Sequence, residues 1–437
     1  MTRTLSADVA KHAGKAVYVE GWLHKKRLLG GLTFIVMRDR SGVVQVVVKD
    51  KDEVEKLRGM QIGTVLALEG MATKELRAPG GAEIHNPKIE IIVAVTEESP
   101  IEIDKPLDHK PDNLDTLFEH RVIGLRNLQE QAIFKVQAAV LEAAREYFKE
   151  HSFTEMNTPK LLAEPTEGGA EVFTLDYFGK SATLAQSAQF YKQMMVGVFE
   201  RVFETNPTYR AEPSATTRHM TEYITIDAEM GFIEFEDLLS FTGGLINYIV
   251  EKVWETRKEE LELWNAQRPK LLKDFPRVPM HEVHELYSKA TGENTTGEDD
   301  LRPDEERWIC EYAKDKLGSE AVFVTEWPVE SMKFYHRKNA KNPKLVDRSD
   351  LIFRGIEIAT VSMREHRYDI LVEQLKTVAQ GDPKHPGFKY YLQAFKYGLP
   401  PHGGFGLGLE RLTEKIIGLN NVKEATLFPR DINRLAP

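Results

Sequence analysis

The apolar residues of this chain change period once, and that change limits what it can fold into. Up to about residue 97 they alternate with polar residues in short runs: "AVYVEGWLHKK", "LTFIVMRD", "VVQVVVKD", "TVLALEGMATKE" and "AEIHNPKIEIIVAV". Period-two runs parted by turn residues make strands with one buried face. Five of them predict a small closed or partly closed β-barrel over residues 1–97. Residues 98–117 are rich in Pro, Asp and Glu without a sustained apolar period, which predicts a linker. From residue 118 the spacing lengthens, and "LQEQAIFKVQAAVLEAAREYFKEH" repeats its apolar residues at three and four, as a long helix does. Strands and helices then mix to the end, predicting an α+β unit over 118–437 with an antiparallel sheet flanked by helices.

A chain of 437 residues is long enough for two or three domains, and 41% hydrophobic with 29% charged residues is an ordinary globular balance. No apolar run suits a signal peptide or a membrane span, so a cytoplasmic protein is expected. The lone Cys310 leaves no partner for an internal disulfide and no thiolate cluster for zinc. A net charge of −10 argues against nonspecific coating of nucleic acid, although "HKKR" at His24 to Arg27 is a local basic patch.

Three constellations carry chemistry. In "YRAEPSATTRHMTEYITIDAEM", two strands flank the turn "PSATTRHM", and Arg210 and Glu212 are expected on one face of the first strand. Tyr223 lies on the returning strand, with Arg218 and His219 ending the turn. Cations, a carboxylate and a flat ring on one face match a nucleoside triphosphate. A plain solvated hairpin is the alternative. The second constellation is "PPHGGFGLGLERL", a glycine-rich strand running into a helix that carries Arg411. Such glycines also serve ordinary strand-to-helix packing. The third combines "EPTEGGAEVF", "LAQSAQFYKQMM" and "RGIEIATVSMREHR". These supply Glu167, Ser187, Gln189, Lys192, Glu357 and Arg364, and carboxylates with two cations suit an amino acid whose side chain is an anion.

Taken in order, "FTEMNTPKL", "YRAE…TRHMTEY" and "GFGLGLERL" resemble the three signature motifs of the class II aminoacyl-tRNA synthetases. Within that class the chain is most similar to the subgroup with an amino-terminal OB-fold barrel, and there to the aspartyl branch of the archaeal and eukaryotic type. The likeness runs end to end, including the closing "LFPRDINRLAP". It implies ATP-dependent attachment of aspartate to tRNA through an adenylate, with Mg²⁺ bridging phosphates and no covalent enzyme intermediate. It also implies a homodimer, with the first motif, ending at Pro159, at the two-fold interface.

The resemblance further implies roles residue by residue. Arg210 would grip the α-phosphate, Glu212 read the adenine amino group and Tyr223 stack on the ring in place of the usual phenylalanine. Arg218 and His219 would approach the outer phosphates, Arg411 would close the other side, and Glu357 with Thr360 would serve the metal. Glu167 and Asp227 would hold the substrate ammonium, with Ser187 and Gln189 lining the pocket. Lys192 and Arg364 would meet the side-chain carboxylate. The asparaginyl branch has an apolar residue in place of Lys192, and a buried second cation left unpaired by neutral asparagine would favour aspartate. In the barrel, Phe34 would stack on the central anticodon base, Gln45 would hydrogen-bond it, and Glu83 would face the anticodon too.

One departure stands out. Where the family has a glycine-rich run before the arginine, this chain has Val361 and Met363, which are expected to add bulk beside the pocket. Other readings stay open at this stage: an asparaginyl-tRNA synthetase, an RNA-binding paralogue without catalysis, and a tRNA-independent amide ligase. Two further positions bear on which tRNA is charged. Members restricted to the aspartate tRNA have tryptophan soon after the "GW" of the first strand and lysine in the loop before the "EI" strand. Members accepting both tRNAs tend to have histidine and proline, and this chain has His24 and Pro79. A nondiscriminating enzyme that charges tRNA(Asp) and tRNA(Asn) is therefore expected.

Overall fold

The computed structural model describes residues 2–29, 32–107, 109–165 and 171–437. The chain divides into two compact units, Met1–Gln131 and Ala132–Pro437. In the first unit, β1 (Ala16–Leu29), β2 (Leu32–Asp39), β3 (Gly42–Val48), β4 (Val65–Lys74) and β5 (Ala82–Val93) close a barrel in the order β1-β2-β3-β5-β4. Each of the five runs expected from period-two spacing is one of its strands. Val17, Val19, Ile35, Met37, Val44, Val46, Leu66, Leu68 and Ile84 fill the interior, and Phe34, Gln45 and Glu83 face outward. Closure depends on β1. Its first half pairs with β4 and its second half with β2, and a register shift between Leu23 and Lys25 bends the strand where it changes partner.

Residues 98–117 are more structured than a bare linker. A helix spans Pro111–Glu119, and Ile101, Leu114, Leu117 and Phe118 form a small core of their own. Three apolar residues within one helical turn and a half are too few to register as a period, which is why the sequence reads as unstructured there. The buried Arg121 donates to Glu130 at 2.6 Å and closes this region.

The second unit is built on an eight-stranded sheet. Its strands are β6 (Thr154–Glu155), β7 (Arg201–Tyr209), β8 (Glu222–Gly231), β9 (Arg277–Pro279), β10 (Ala321–Thr325), β11 (Arg348–Phe353), β12 (Ile356–Arg364) and β13 (His402–Gly408). They lie in the order β9-β10-β11-β12-β13-β8-β7-β6. The expected antiparallel sheet is confirmed in the middle and corrected at both edges, where β9–β10 and β6–β7 run parallel.

Register divides the sheet into two chemically opposite faces. Asp227, Gly406 and Thr360 sit opposite one another across β8, β13 and β12, as do Ala228, Phe405 and Val361. The second row belongs to a large apolar core with Ile226, Met230, Leu407, Ala359 and Met363. Onto that core pack the helices Leu128–Glu150, Phe235–Thr256 and Leu409–Ile417, through residues such as Val136, Phe148, Leu245, Ile249 and Leu412. The first row, carrying the carboxylates, faces the other way. Val361 and Met363 therefore lie under the sheet and not beside the pocket, because strand alternation sends them away from Thr360 and Arg364. The expected crowding does not arise.

This placement gives a test. Val361→Gly empties a fully buried site and loosens a central strand, so it should cost about 2–4 kcal/mol of stability. Because the side chain faces the core, ligand affinity at the polar face should change less than twofold in a titration at a temperature where the variant is folded.

Candidate active site

The helix Gln189–Phe199 lies over the polar face, and its three-and-four spacing turns Gln189, Lys192, Gln193 and Val196 inward. Lys192 is buried. Its ammonium donates to Asp227 Oδ1 at 2.7 Å and to the Phe405 carbonyl at 2.9 Å, with Glu229 Oε2 at 3.9 Å. Asp227 Oδ2 accepts from Thr225 Oγ1 at 2.6 Å and Asn206 Nδ2 at 3.0 Å. Burial pushes the Asp227 carboxyl up, yet Lys192 and these two donors together hold it below the usual carboxylate range. Arg364, from the end of β12, forks onto Glu229 at 2.9 and 3.1 Å, donates to Ser362 and lies over the Tyr335 ring.

Two cations and two carboxylates thus form one buried cluster. This corrects the electrostatic argument made for Lys192: its charge is already matched by Asp227, so neutral asparagine would not leave it unpaired. What the two cations offer a ligand is N–H groups, since neither side chain has an acceptor. The floor beneath them is glycine. A Cβ at Gly404 would stand 2.1 Å from the Ala228 carbonyl and 2.2 Å from Glu229 Oε2, so β13 can approach β8 this closely only without a side chain there.

A neutral network stands behind the pocket. Gln189 Nε2 and the Tyr391 hydroxyl both donate to Gln193 Oε1, at 3.0 and 2.9 Å. Gln193 Nε2 lies 3.0 Å from His402 Nε2, and His402 Nδ1 lies 2.8 Å from the Pro400 carbonyl. A carbonyl can only accept, which places the imidazole proton on Nδ1 and leaves Nε2 to accept from Gln193.

The hairpin expected to meet the nucleotide differs in detail from the expectation. β7 stops at Tyr209, and the Arg210 amide closes the hairpin on the Thr221 carbonyl at 3.0 Å. Arg210 and Glu212 are therefore loop residues and not neighbours on one strand face, because the turn opens before "PSATTRHM". The Arg210 guanidinium lies 6.0 Å from the Tyr223 ring centre. Arg218 pairs with Glu306, and Thr216 holds His219 at 2.8 Å. Burial, then Arg411, Arg218 and Arg210, lower the His219 pKa. Arg411, in the first turn of the helix after the glycine strand, donates to the Glu357 carbonyl at 2.8 Å, and its guanidinium lies 3.5 Å from the Glu357 carboxylate. Thr360 Oγ1 donates to Glu357 Oε1 at 2.7 Å.

Burial raises Glu357, but Arg411, the Thr360 hydroxyl and the Arg348 and Arg210 charges bring it below the usual range. Asp350 behaves oppositely. Burial pushes it up to about 7 against the pull of Arg348, with Glu357 and Asp300 adding to the rise. Among the described residues no three His, Cys, Asp or Glu side chains are grouped to hold an ion by themselves.

Ser187 Oγ accepts from the Gln189 amide at 3.1 Å at the start of the pocket helix. Glu167 lies outside the described residues. On the barrel, the register brings Gln45 opposite Glu83, and Gln45 Nε2 donates to Glu83 Oε1 at 2.7 Å. Phe34 is on the same outer face. Of the "HKKR" patch, Lys26 is taken up by the carbonyls of Leu57, Arg58 and Met60 at the end of the helix Lys51–Arg58. His24 sits at the β1 bulge and is only 9% exposed, with a pKa lowered to about 4 by burial and by Arg38. Pro79 is exposed in the β4–β5 connection.

Several site residues were not singled out from sequence. Glu229 follows Asp227 at a strand spacing of two, so its face was legible but not its partner Arg364. Asp350 and Glu306 come from elements that only the fold brings to the site, while Gln193 and His402 lie inside the segments already singled out and only their hydrogen-bond partners were hidden.

Comparison with known proteins identifies the class. The family profile described as tRNA synthetases class II (D, K and N) matches residues 113–432, and that for the OB-fold nucleic acid binding domain matches residues 17–92. The chain belongs to the class II tRNA synthetase family of the D, K and N type. It is 41% identical over 440 residues to the Aspartate--tRNA(Asp/Asn) ligase of Thermus thermophilus, covering 100% of both chains. It is 40% identical to the Aspartate--tRNA(Asp) ligase of Pyrococcus abyssi, covering 97% of each. Among solved structures it resembles the asparaginyl-tRNA synthetase of Pyrococcus horikoshii complexed with asparaginyl-adenylate, with a TM-score of 0.92, 32% identity and 100% of both chains covered. The aspartyl tRNA synthetase of Entamoeba histolytica gives 0.85 and 26%, covering 100% of this chain and 93% of that one. Among the described residues no helix is long and apolar enough to cross a membrane.

The buried imidazole predicts a pH dependence. Burial lowers the His402 pKa from 6.5 to about 4, so the unfolded chain binds this proton first as pH falls. Stability should therefore drop between pH 6.5 and 4, by up to about 3 kcal/mol from this group. Glu410, pushed up to about 8 by burial, contributes the opposite slope from pH 4.5 to 8, so wild type is compared with His402→Gln. Urea unfolding across this range should show a shallower acid limb in the variant.

Proposed function

We propose that the chain is an aspartate–tRNA ligase, with residues 1–97 reading the anticodon and 118–437 activating the amino acid. The observation that carries this reading is the pairing of Lys192 and Arg364 over the glycine strand. A carboxylate accepts from both cations, whereas an asparagine amide would turn its NH₂ donors toward groups that are themselves donors. Aspartate is thus favoured by donor–acceptor matching, with the charge of Lys192 and Arg364 held in balance by Asp227 and Glu229. For aspartate to enter, the cations share their N–H groups between these carboxylates and the substrate. Ser187, Gln189 and Asp227 line the remainder of the pocket, with Glu167 the further candidate for the ammonium.

At the other end, Arg210 and Arg411 would flank the α-phosphate as the aspartate carboxylate attacks it and pyrophosphate leaves. Fixed guanidinium groups stabilise charge that builds up on the phosphate oxygens without reorganising at that moment. Tyr223 offers a ring face to adenine and Glu212 an acceptor for its amino group, while Arg218 and His219 serve the outer phosphates. Acyl transfer to the terminal ribose of tRNA follows. Mg²⁺ suits the hard oxygen donors present, since this ion is held by one or two carboxylates together with substrate phosphates. Glu357, with Thr360 and Asp350 beside it, would hold it, and it would supply neutralisation of phosphate charge. A single cysteine, the buried Cys310, suits a reducing cytoplasm.

Arg210→Ala and Arg411→Ala should each lower ATP–pyrophosphate exchange at least about a hundredfold, the usual effect of removing one preorganised donor. Lys192→Leu should raise the KM for aspartate with that for ATP little changed. It should also cost about 3 kcal/mol of stability, because Asp227 is left buried without its partner. Near wild-type exchange in Arg210→Ala would remove ATP from the hairpin, and in Arg411→Ala would remove Arg411 from the phosphates.

The enzyme is further proposed to be nondiscriminating, charging both tRNA(Asp) and tRNA(Asn), and to act as a homodimer through the motif ending at Pro159. His24 and Pro79 support the first reading, a smaller ring and an imino acid standing where a bulky tryptophan and a long lysine would restrict the third anticodon base. Relatives with both kinds of name stand at nearly equal identity, so overall likeness does not decide between them. Purified protein, labelled aspartate and the two transcripts do: the kcat/KM values should lie within about tenfold, and a hundredfold preference for tRNA(Asp) would reject the idea. His24→Trp with Pro79→Lys should widen the gap without altering exchange, with a melting curve to check that the ring fits its buried site. The active species should sediment as a dimer, and a fully active monomer would refute that part.

A further inference from the structure

His85 follows Glu83 by two on β5, so both side chains lie on the outer barrel face. The register sets His85 opposite Val47, which in turn is opposite Phe34. Two donors converge on the Glu83 carboxylate from either side: Gln45 Nε2 on Oε1 at 2.7 Å, and His85 Nε2 on Oε2 at 2.8 Å. A carboxylate only accepts, so the imidazole proton faces Glu83. Immediately after His85 the backbone changes course. Asn86 has φ 51° and the β4–β5 register slips between Glu69 and Met71, which ends the β3–β5 ladder and leaves the His85 side chain 30% exposed beside a Glu83 that is 15% exposed. A surface His–Glu pair is common decoration, but here the carboxylate is also tied to the amide on the neighbouring strand.

We propose that His85 is a positioning residue for RNA recognition: by holding one oxygen of Glu83 it keeps the other aimed at Gln45, and so fixes which end of the Gln45 amide meets a base. The proposal rests on the anticodon-reading role given above to Phe34 and Gln45. An amide whose ends can exchange by a half-turn presents donor and acceptor in either order, and would accept uracil and cytosine edges alike. Pinned through Nε2 to Glu83, Gln45 keeps its carbonyl and remaining N–H in one order, which one pyrimidine edge matches and the other opposes. Glu83 then acts through Gln45 and His85, and its negative charge is screened from the RNA backbone by both.

The test uses the full-length enzyme with an aspartate tRNA transcript and a second transcript carrying cytosine for uracil at the central anticodon base. His85→Ala should raise the tRNA KM about fivefold, the usual effect of losing one hydrogen bond, and narrow the preference for uracil by a similar factor. ATP–pyrophosphate exchange and the melting temperature should not move. His85→Gln, which can still donate to Glu83, should recover most of the preference. If Phe34→Ala raises the tRNA KM while His85→Ala leaves the preference intact, the positioning role is wrong and the barrel reading survives. If Phe34→Ala and Gln45→Ala also leave the tRNA KM unchanged, the barrel reading itself fails and this proposal falls with it.

Discussion

The ion pairs of Lys192 with Asp227 and Arg364 with Glu229 are the constraint around which the catalytic unit is arranged. Four charges buried on one sheet face are tolerable only if each has its opposite within hydrogen-bond reach. Meeting that condition needs β8 and β12 held in one register on either side of β13 with the helix Gln189–Phe199 over them, because the four groups come from that helix, β8 and β12. It also needs glycine at 404, since any side chain there would strike Glu229. The glycine-rich strand is thus a condition for the charged cluster. The charges of the cluster already balance, so what it offers an acceptor is the direction of its N–H groups.

The same sheet shows how a polar site can be rigid. Its reverse face is buried against three helices by Phe405, Val361, Met363 and Leu407, so that the strands cannot shift without opening the main core. Alternation assigns every second residue of these strands to chemistry and the rest to packing. The bulky residues of β12 that look intrusive in the sequence serve the core. Behind the pocket, the Tyr391–Gln193–His402 network fixes the Gln189 amide with neutral groups, which spares the site any further buried charge.

The barrel follows a similar economy on its outer face. Neighbouring strands supply Phe34, Gln45 and Glu83 at matched heights, and hydrogen bonds lock the polar pair into place. Much of the local positive charge is committed elsewhere: Lys26 ends a helix and His24 is held neutral by burial. Lys25 and Arg27 remain at the surface of that strand, a small basic patch on a chain of net charge −10.

The sequence by itself determined the two-part organisation, since a barrel of period-two strands and a unit opening with a period-3.6 helix are local consequences of which residues alternate. It also determined the class of chemistry, because Arg210, Tyr223, Asp227, Glu357 and Arg411 stand in recognisable motifs. Strand alternation even placed Asp227 and Glu229 on one face. What only the tertiary structure decided was pairing. Lys192 lies 35 residues from Asp227 in the chain, and Arg364 lies 135 from Glu229, so no local rule could say that the cations had partners of their own. The loop position of Arg210, the burial of His24 and the harmless direction of Val361 were hidden for the same reason. Each depends on which distant strand lies alongside, and that is settled by packing the whole core at once and not by any residue's neighbours in sequence.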